Sequence, residues 1–186
     1  MRHLYIYSLL LAGSILTSGC ESLDFTPADQ MSDRTFWLTE DHARQAAIGM
    51  YAAMKAQWCF GMEFTFDMCS DIADGTTPWA DISRGASFSS ASSGVQNHWQ
   101  YLYELVHRCN TVIRNVAGMP ISSQTIDRVT GEAKFLRAMA YFRMLNCWGG
   151  VPWYDESCDI NQQFATLNAP RSSEDEIRRH ILDDLT

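Results

Sequence analysis

Asp67, Asp71 and Asp74 recur close together, and carboxylates at such spacing can do acid–base work or ligate calcium through oxygen. They cap loops equally well, and that is the favoured reading in this stretch. Glu132, Lys134 and Arg137 are a second group of charges, all within one helical segment. Such pairs are too few and too generic for catalysis; they suit capping or an ion pair between helices. Asn110 and Tyr141 read as packing and hydrogen-bonding residues. His42, His98, His107 and His180 form no i, i+3 or i, i+4 pair with a second ligand type of the kind that would suggest zinc, so no zinc site is expected. The sequence holds no G-x-S-x-G elbow, Gly-rich phosphate loop or Cys–His pairing signal. No catalytic residue, metal ligand or cofactor is expected, and the chain reads as a non-enzyme.

Of six cysteines, Cys20 stands apart. It follows a short basic start at Arg2 and His3, a mostly apolar stretch from Leu4 to Leu16, and the small residues Thr17, Ser18 and Gly19. The apolar stretch has the length of a signal-peptide core and falls short of a bilayer span. Small residues directly before a Cys resemble the lipobox of bacterial lipoproteins, although Thr17 stands where Leu is more usual. That resemblance implies acylation of the Cys20 sulfur and cleavage just before it. Several acyl chains would anchor the chain firmly, since each buried CH₂ adds about 0.8 kcal/mol. An ordinary signal peptide is the alternative, but no A-x-A-like cleavage site follows. The acidic Glu21-Ser22-Leu23-Asp24 resembles the surface-export signal of Bacteroidota lipoproteins, and suits a solvated linker as well. Cys59, Cys69, Cys109, Cys147 and Cys158 lack the spacing of a zinc site and read mainly as small buried apolar residues. One disulfide among them remains open.

Trp79 is the residue best suited to ligand contact. It sits beside Pro78 in a stretch, 75–97, rich in Ser and Gly, which reads as one long loop. An indole face can stack on the C–H face of a sugar ring, while Asp81 and Arg84 could hydrogen-bond its hydroxyls. The competing reading is that Trp79 anchors the loop to the core.

Helices must carry these residues. Thr39 is an N-cap, with Glu40 and Asp41 in the first turn, and Ala43, Ala46, Ala47, Met50, Tyr51 and Met54 follow at helical spacing. Residues 58–72 resist assignment. A second helix is expected from near Gln96, with Trp99, Leu102, Tyr103, Val106, Cys109 or Asn110, and Ile113 as its stripe; Gly118 and Pro120 stop it. A third runs from about Ser123 to Cys147, burying Ile126, Val129, Ala133, Leu136, Ala140 and Met144, and ends at Gly149-Gly150. In a fourth, Ser173 and Glu176 form a capping box, and Ile177, Ile181 and Leu185 follow. Its face is still amphipathic at Thr186, so the chain is expected to be truncated there. The fold class is all-α: the full repeat signature is absent, and periodicity supports irregular, tetratricopeptide-like helix pairs around one long polar loop. The expected layout is a signal peptide at 1–19, a lipidated tether at 20–38 and a helical domain at 39–186.

Composition agrees. With 46% apolar and 19% charged residues the chain can build a core, and a net charge of −8 argues against a nucleic-acid partner. Six Trp serve a core, sugar stacking or an interface equally.

The stretch Glu132-Ala133-Lys134-Phe135-Leu136-Arg137-Ala138, then Tyr141-Phe142, Leu145 and Trp148-Gly149-Gly150-Val151-Pro152, resembles the SusD/RagB family. There a long helix of the form EA-x-FLRA-x-x-Y ends in a G-x-VP turn. Trp99, Tyr103 and Asn110 match the preceding W-x-x-x-Y…N helix. Pro170-Arg171, with Ile181, Asp184 and Leu185, matches the following segment, and the region of Asp71-Ile72 fits as well. The resemblance covers essentially the whole chain, although family members are typically much longer. It implies an outer-membrane lipoprotein, facing the cell surface, that caps a SusC-like TonB-dependent transporter and delivers glycans, or in some members peptides. It also implies that the region of Trp79, Asp81 and Arg84 helps to form a glycan platform. Two other classes compete: an envelope adaptor that binds only protein, and a lipid-anchored hydrolase, for which no nucleophile or carboxylate pair is found.

Overall fold

The computed structural model describes residues 33–61, 63–75, 89–90, 92–158 and 168–186. The signal segment, Cys20 and most of loop 75–97 lie outside the described residues. Asp33–Phe36 make a single helical turn. Phe36–Thr186 form one compact unit, in which the described regular structure is entirely helical.

Helix α1 spans Glu40–Met54. Thr39 caps it as expected: its backbone is extended and its hydroxyl accepts the His42 N–H at 3.3 Å. Glu40 and Asp41 favour the positive end of the helix dipole, and Asp41 also holds Arg44 and Gln45. Ala43, Ala47 and Met50 are buried, so the small-residue face lets neighbouring helices approach closely, while Tyr51 is exposed. The unassigned stretch proves to be two short non-α helices, a wide π-helix over Gln57–Gly61 and a tight 3₁₀-helix over Glu63–Cys69. Their hydrogen-bond spacings match neither the α nor the β period, which is why pattern reading found nothing there.

Helix α2 spans Ser93–Val116 and α3 spans Ser123–Trp148. Helix α2 starts at Ser93, earlier than the expected Gln96, so the predicted loop is shorter at its far end. Ser92 does not cap it; its hydroxyl accepts the Ser89 N–H at 3.1 Å instead. Gly94 is buried in the first turn, and burial there overrides a composition that reads as loop. Both Cys109 and Asn110, offered as alternatives for one stripe position, are buried. The two helices form the centre of the core. Leu102, Leu105, Val106 and Val112 from α2 meet Val129, Ala133, Leu136, Ala140 and Met144 from α3.

Helix α3 ends as the Gly-Gly pair requires. Gly149 takes φ +68°, its N–H bonds to the Leu145 carbonyl at 2.9 Å, and the chain turns away. Gly150 is needed for a different reason: a Cβ there would lie 2.2 Å from the Ser172 carbonyl oxygen. That close approach brings the entry of the last helix, α4 at Glu174–Leu185, alongside the exit of α3. Arg171 locks the junction by donating to the Trp148 and Gly150 carbonyls at 3.0 and 2.7 Å. The Ser173–Glu176 capping box forms in full.

Helix α4 corrects one expectation. Ile177 and Ile181 are buried, but Leu185 is 52% exposed. Asp184, one residue earlier, occupies the inward position because it has a buried partner on α3 (described below).

The two glycine environments make opposite predictions. Gly150→Ala should destabilise by about 1–3 kcal/mol through overpacking. Gly131→Ala, on exposed α3 surface where a Cβ meets nothing within 4 Å, should stabilise by about 0.5–1 kcal/mol. Thermal melts of both variants check this; equal shifts would contradict it.

Candidate ligand-binding cleft

Arg137 projects from the middle of α3 into the interior and is 3% exposed. Burial opposes its charge, but its carboxylate partners outweigh that and hold the guanidinium above its ordinary range. Its Nε and Nη2 donate to the two carboxylate oxygens of Asp184 at 2.7 and 2.6 Å, a two-pronged pair. Its Nη1 donates to Glu156 Oε2 and to Asn110 Oδ1, each at 2.7 Å. One side chain thus ties α3 to α4, to α2 and to the extended strap 151–158.

The strap is held from several sides. Asn110 Nδ2 donates to the Tyr154 carbonyl at 2.9 Å, and the Tyr154 N–H donates to the Tyr141 hydroxyl at 2.8 Å. The Tyr103 hydroxyl donates to the Pro152 carbonyl at 2.8 Å, and Arg114 reaches the Cys158 carbonyl at 3.2 Å. Trp153 is sandwiched between the Tyr141 ring at 4.3 Å and the His180 ring at 4.2 Å, with Arg137 5.3 Å from its centroid. Burial pushes the Tyr103 and Tyr141 hydroxyls up, so both stay protonated and can donate.

Between α2 and the strap lies a cleft of about 410 Å³. Trp99, Tyr103 and Val106 form one wall, and Pro152, Tyr154 and Cys158 the other; Gln100 and His107 add polar groups. Trp99 and Tyr103 are one helical turn apart, with ring centroids at 5.0 Å, and Tyr154 stands 5.8 Å from Tyr103 at a steep angle. Trp148 braces Trp99 edge-on at 5.2 Å, and Arg171 lies 5.8 Å from its ring centroid. The Tyr103 hydroxyl and Asn110 amide are already spent on the strap. The walls therefore offer ring faces set in place before any ligand arrives, a size and character typical of small-molecule sites.

Of the residues singled out from sequence, Cys20, Trp79, Asp81 and Arg84 lie outside the described residues. Arg137 makes the inter-helix ion pair that was expected of its group, and Asn110 and Tyr141 are hydrogen-bonded packing residues. In the acidic cluster, the Asp74 carboxylate accepts the Gly75 N–H, a loop-capping contact, while Ser70 bonds the backbone carbonyl of Asp67. Among the described residues, no group of three His, Cys, Asp or Glu is placed to hold a metal. Cys59 and Cys109 are buried as expected, and burial pushes the Cys109 thiol up to about 12; Cys147 is exposed, contrary to expectation. It falls on the outer face of the last turn of α3, which the buried stripe does not reach. Sequence reasoning missed Trp153, Tyr154 and His180. The aromatic pair after Val151-Pro152 was the available signal, but without periodicity nothing showed what it faced.

The fold and cleft define a class: an all-helical, tetratricopeptide-like scaffold with an aromatic cleft. The chain belongs to the SusD-like family, whose description, "Starch-binding associating with outer membrane", matches residues 22–186. Similar proteins include SusD-like protein P25 of Formosa agariphila, 26% identical over all of this chain and 37% of its own length. A SusD-like protein of Bacteroides ovatus is 24% identical over 92% of this chain and 32% of its own. Among solved structures, a SusD-like carbohydrate binding protein of Bacteroides fragilis shares the fold with a TM-score of 0.66 at 21% identity, covering 81% of this chain and 31% of its own. A second SusD-like protein of that organism gives 0.64 at 27% identity, covering 86% and 31%. The chain thus spans about a third of the length of these relatives.

Arg137→Met should leave Asp184 buried without its partner and cost about 3–5 kcal/mol in the chemical melt. Glu156 sets a pH dependence. Partial burial would raise its pKa, but Arg137 wins and holds it below the ordinary carboxylate value. A lowered folded pKa gives stability that is present above the unfolded pKa of about 4.3 and is lost as pH falls through the folded one. Glu156→Gln should therefore melt below the wild type at pH 7, with the gap closing as pH drops under about 4. A gap that stayed constant would contradict this.

Proposed function

We propose that the protein is a lipid-anchored glycan-binding protein on the outer face of the outer membrane, passing its ligand to a SusC-like TonB-dependent transporter and breaking no bonds itself. The observation that carries this reading is membership of the SusD-like family together with a preformed aromatic cleft on the family scaffold. Ring faces and a few polar groups suit sugars, whose axial C–H bonds pack on aromatic rings while their hydroxyls need partners. One solved relative is itself described as a carbohydrate binding protein. Loop residues Trp79, Asp81 and Arg84 are proposed as further contacts, with Trp79 stacking and the other two hydrogen-bonding hydroxyls.

Acylation at Cys20 is the proposed anchor. The family match begins at residue 22, two residues after it. Among the described residues, no helix is long and apolar enough to cross a membrane.

Two experiments test this. Labelling cells with a palmitate analogue should tag the wild type and not Cys20→Ala; equal labelling would remove the anchor from the proposal. In the full-length protein, Trp79→Ala should weaken oligosaccharide binding several-fold, since aromatic stacking is worth about 1 kcal/mol, and leave the melt nearly unchanged. Unchanged affinity with a much lower melting temperature would make Trp79 a packing residue.

A further inference from the structure

A second cleft, of about 480 Å³, lies on the other flank of α2, against α1. Phe36 and Trp37 line it from before α1, Gln45 and Gly49 from α1, and Glu104 and Arg108 from α2. His107 lines both this cleft and the one beside the strap. The outward ridge of α2 therefore separates two hollows that meet at one residue.

We infer that the two hollows form one bipartite site for a neutral, linear oligosaccharide that crosses α2 at His107 and lays a sugar ring in each. This rests on the glycan reading above and adds what kind of glycan is selected. Both hollows carry ring faces: Trp99, Tyr103 and Tyr154 in the first, Phe36 and Trp37 in the second. The ridge between them is polar, with Gln100, Glu104 and His107 along it, and suits the hydroxyls of the crossing units. The ridge charges cancel. Glu104 holds Arg108 at 2.8 Å, so neither an anionic nor a cationic ligand meets an uncompensated partner.

The spacing sets a length threshold. A helix with its side chains is about 10 Å across, roughly two pyranose rings. A ligand with a ring in each hollow and two across the ridge needs about four units. Shorter ligands engage one hollow at a time. Longer ones gain the second contact as an intramolecular step, which raises affinity with no new contact chemistry.

Gly49 supplies a clean block. It lines the second hollow, and a Cβ added there meets nothing within 4 Å. In Gly49→Phe the Cβ meets no protein atom, so the ring is carried out over the hollow that Gly49 lines, and replacing a mid-helix glycine does not weaken α1. The test is calorimetric titration of the full-length protein with malto-, cello- and laminari-oligosaccharides, from disaccharide to hexasaccharide. In whichever series binds, wild-type affinity should rise about tenfold up to the tetrasaccharide and then level off. Gly49→Phe should remove that rise and leave disaccharide affinity unchanged, and Trp37→Ala should give the same length-selective loss. If hexasaccharide affinity is unchanged in a normally melting Gly49→Phe, or if all lengths weaken equally, the bipartite site is overturned. If the wild type binds no member of the panel, the glycan reading itself fails, and this inference with it.

Discussion

A guanidinium buried in the middle of a helix is the constraint around which this structure is arranged. A charge removed from water costs several kcal/mol unless every donor finds an acceptor in good geometry. Arg137 cannot be satisfied by its own helix, because its neighbours one turn away, Ala133, Lys134, Ala140 and Tyr141, include no carboxylate. Asp184 must come from α4, Glu156 from the strap and Asn110 from α2. The cost of leaving Arg137 bare therefore fixes the docking of three separate elements. Such a network adds little net stability over an apolar core of the same shape. What it does here is select one arrangement, since a slip of α4 by one residue would carry Asp184 away and bring Leu185 inward.

The candidate cleft depends on that arrangement. Its second wall is a strap with no regular structure of its own, and such segments are ordinarily mobile. This one is pinned at Pro152 by Tyr103, at Tyr154 by Asn110 and Tyr141, at Glu156 by Arg137, and at Cys158 by Arg114. Trp153 closes the back by filling the space between Tyr141 and His180. The chain is bound at nearly every second residue, so Tyr154 is held edge-to-face against Tyr103, 5.8 Å between ring centroids, as part of the cleft lining. A ligand then need not order the wall on binding, a saving of the kind that distinguishes preformed sites from induced ones.

The helices were legible in the sequence because their signals are local. Thr39, and Ser173 with Glu176, mark two helix starts through hydrogen bonds made within one turn. Gly149-Gly150 marks an end through backbone conformation and close approach. The buried stripe of α3 follows from period 3.6 alone. Errors arose where a partner distant in sequence decides. Leu185 reads as core and Asp184 as surface until Arg137 is known to point inward. The start of α2 reads as loop until Gly94 is known to be buried. Cys147 looks like a small core residue until the register of the last turn of α3 is fixed. The cleft was less legible still. Trp99 and Tyr103 could be placed on one helical face, but nothing local shows that the residues after Val151-Pro152 return to stand opposite them.

The same logic explains why the polar groups near the cleft should not be counted as ligand partners. Tyr103, Asn110 and Tyr141 look, as a list of residue types, like a sugar-binding set. Each has its donor or acceptor committed to the strap backbone, and withdrawing one would leave a buried carbonyl or amide unpaired at a cost of about 1–3 kcal/mol. A ligand hydroxyl offers no gain large enough to justify that exchange. Any recognition chemistry in the cleft then rests first on its ring faces, with Gln100 and His107 lining its edge. Stacking on rings is tolerant of which hydroxyl points where, whereas hydrogen bonds at an edge are not. On the glycan reading proposed above, a site built this way would discriminate by the shape and reach of a chain more than by the identity of each sugar.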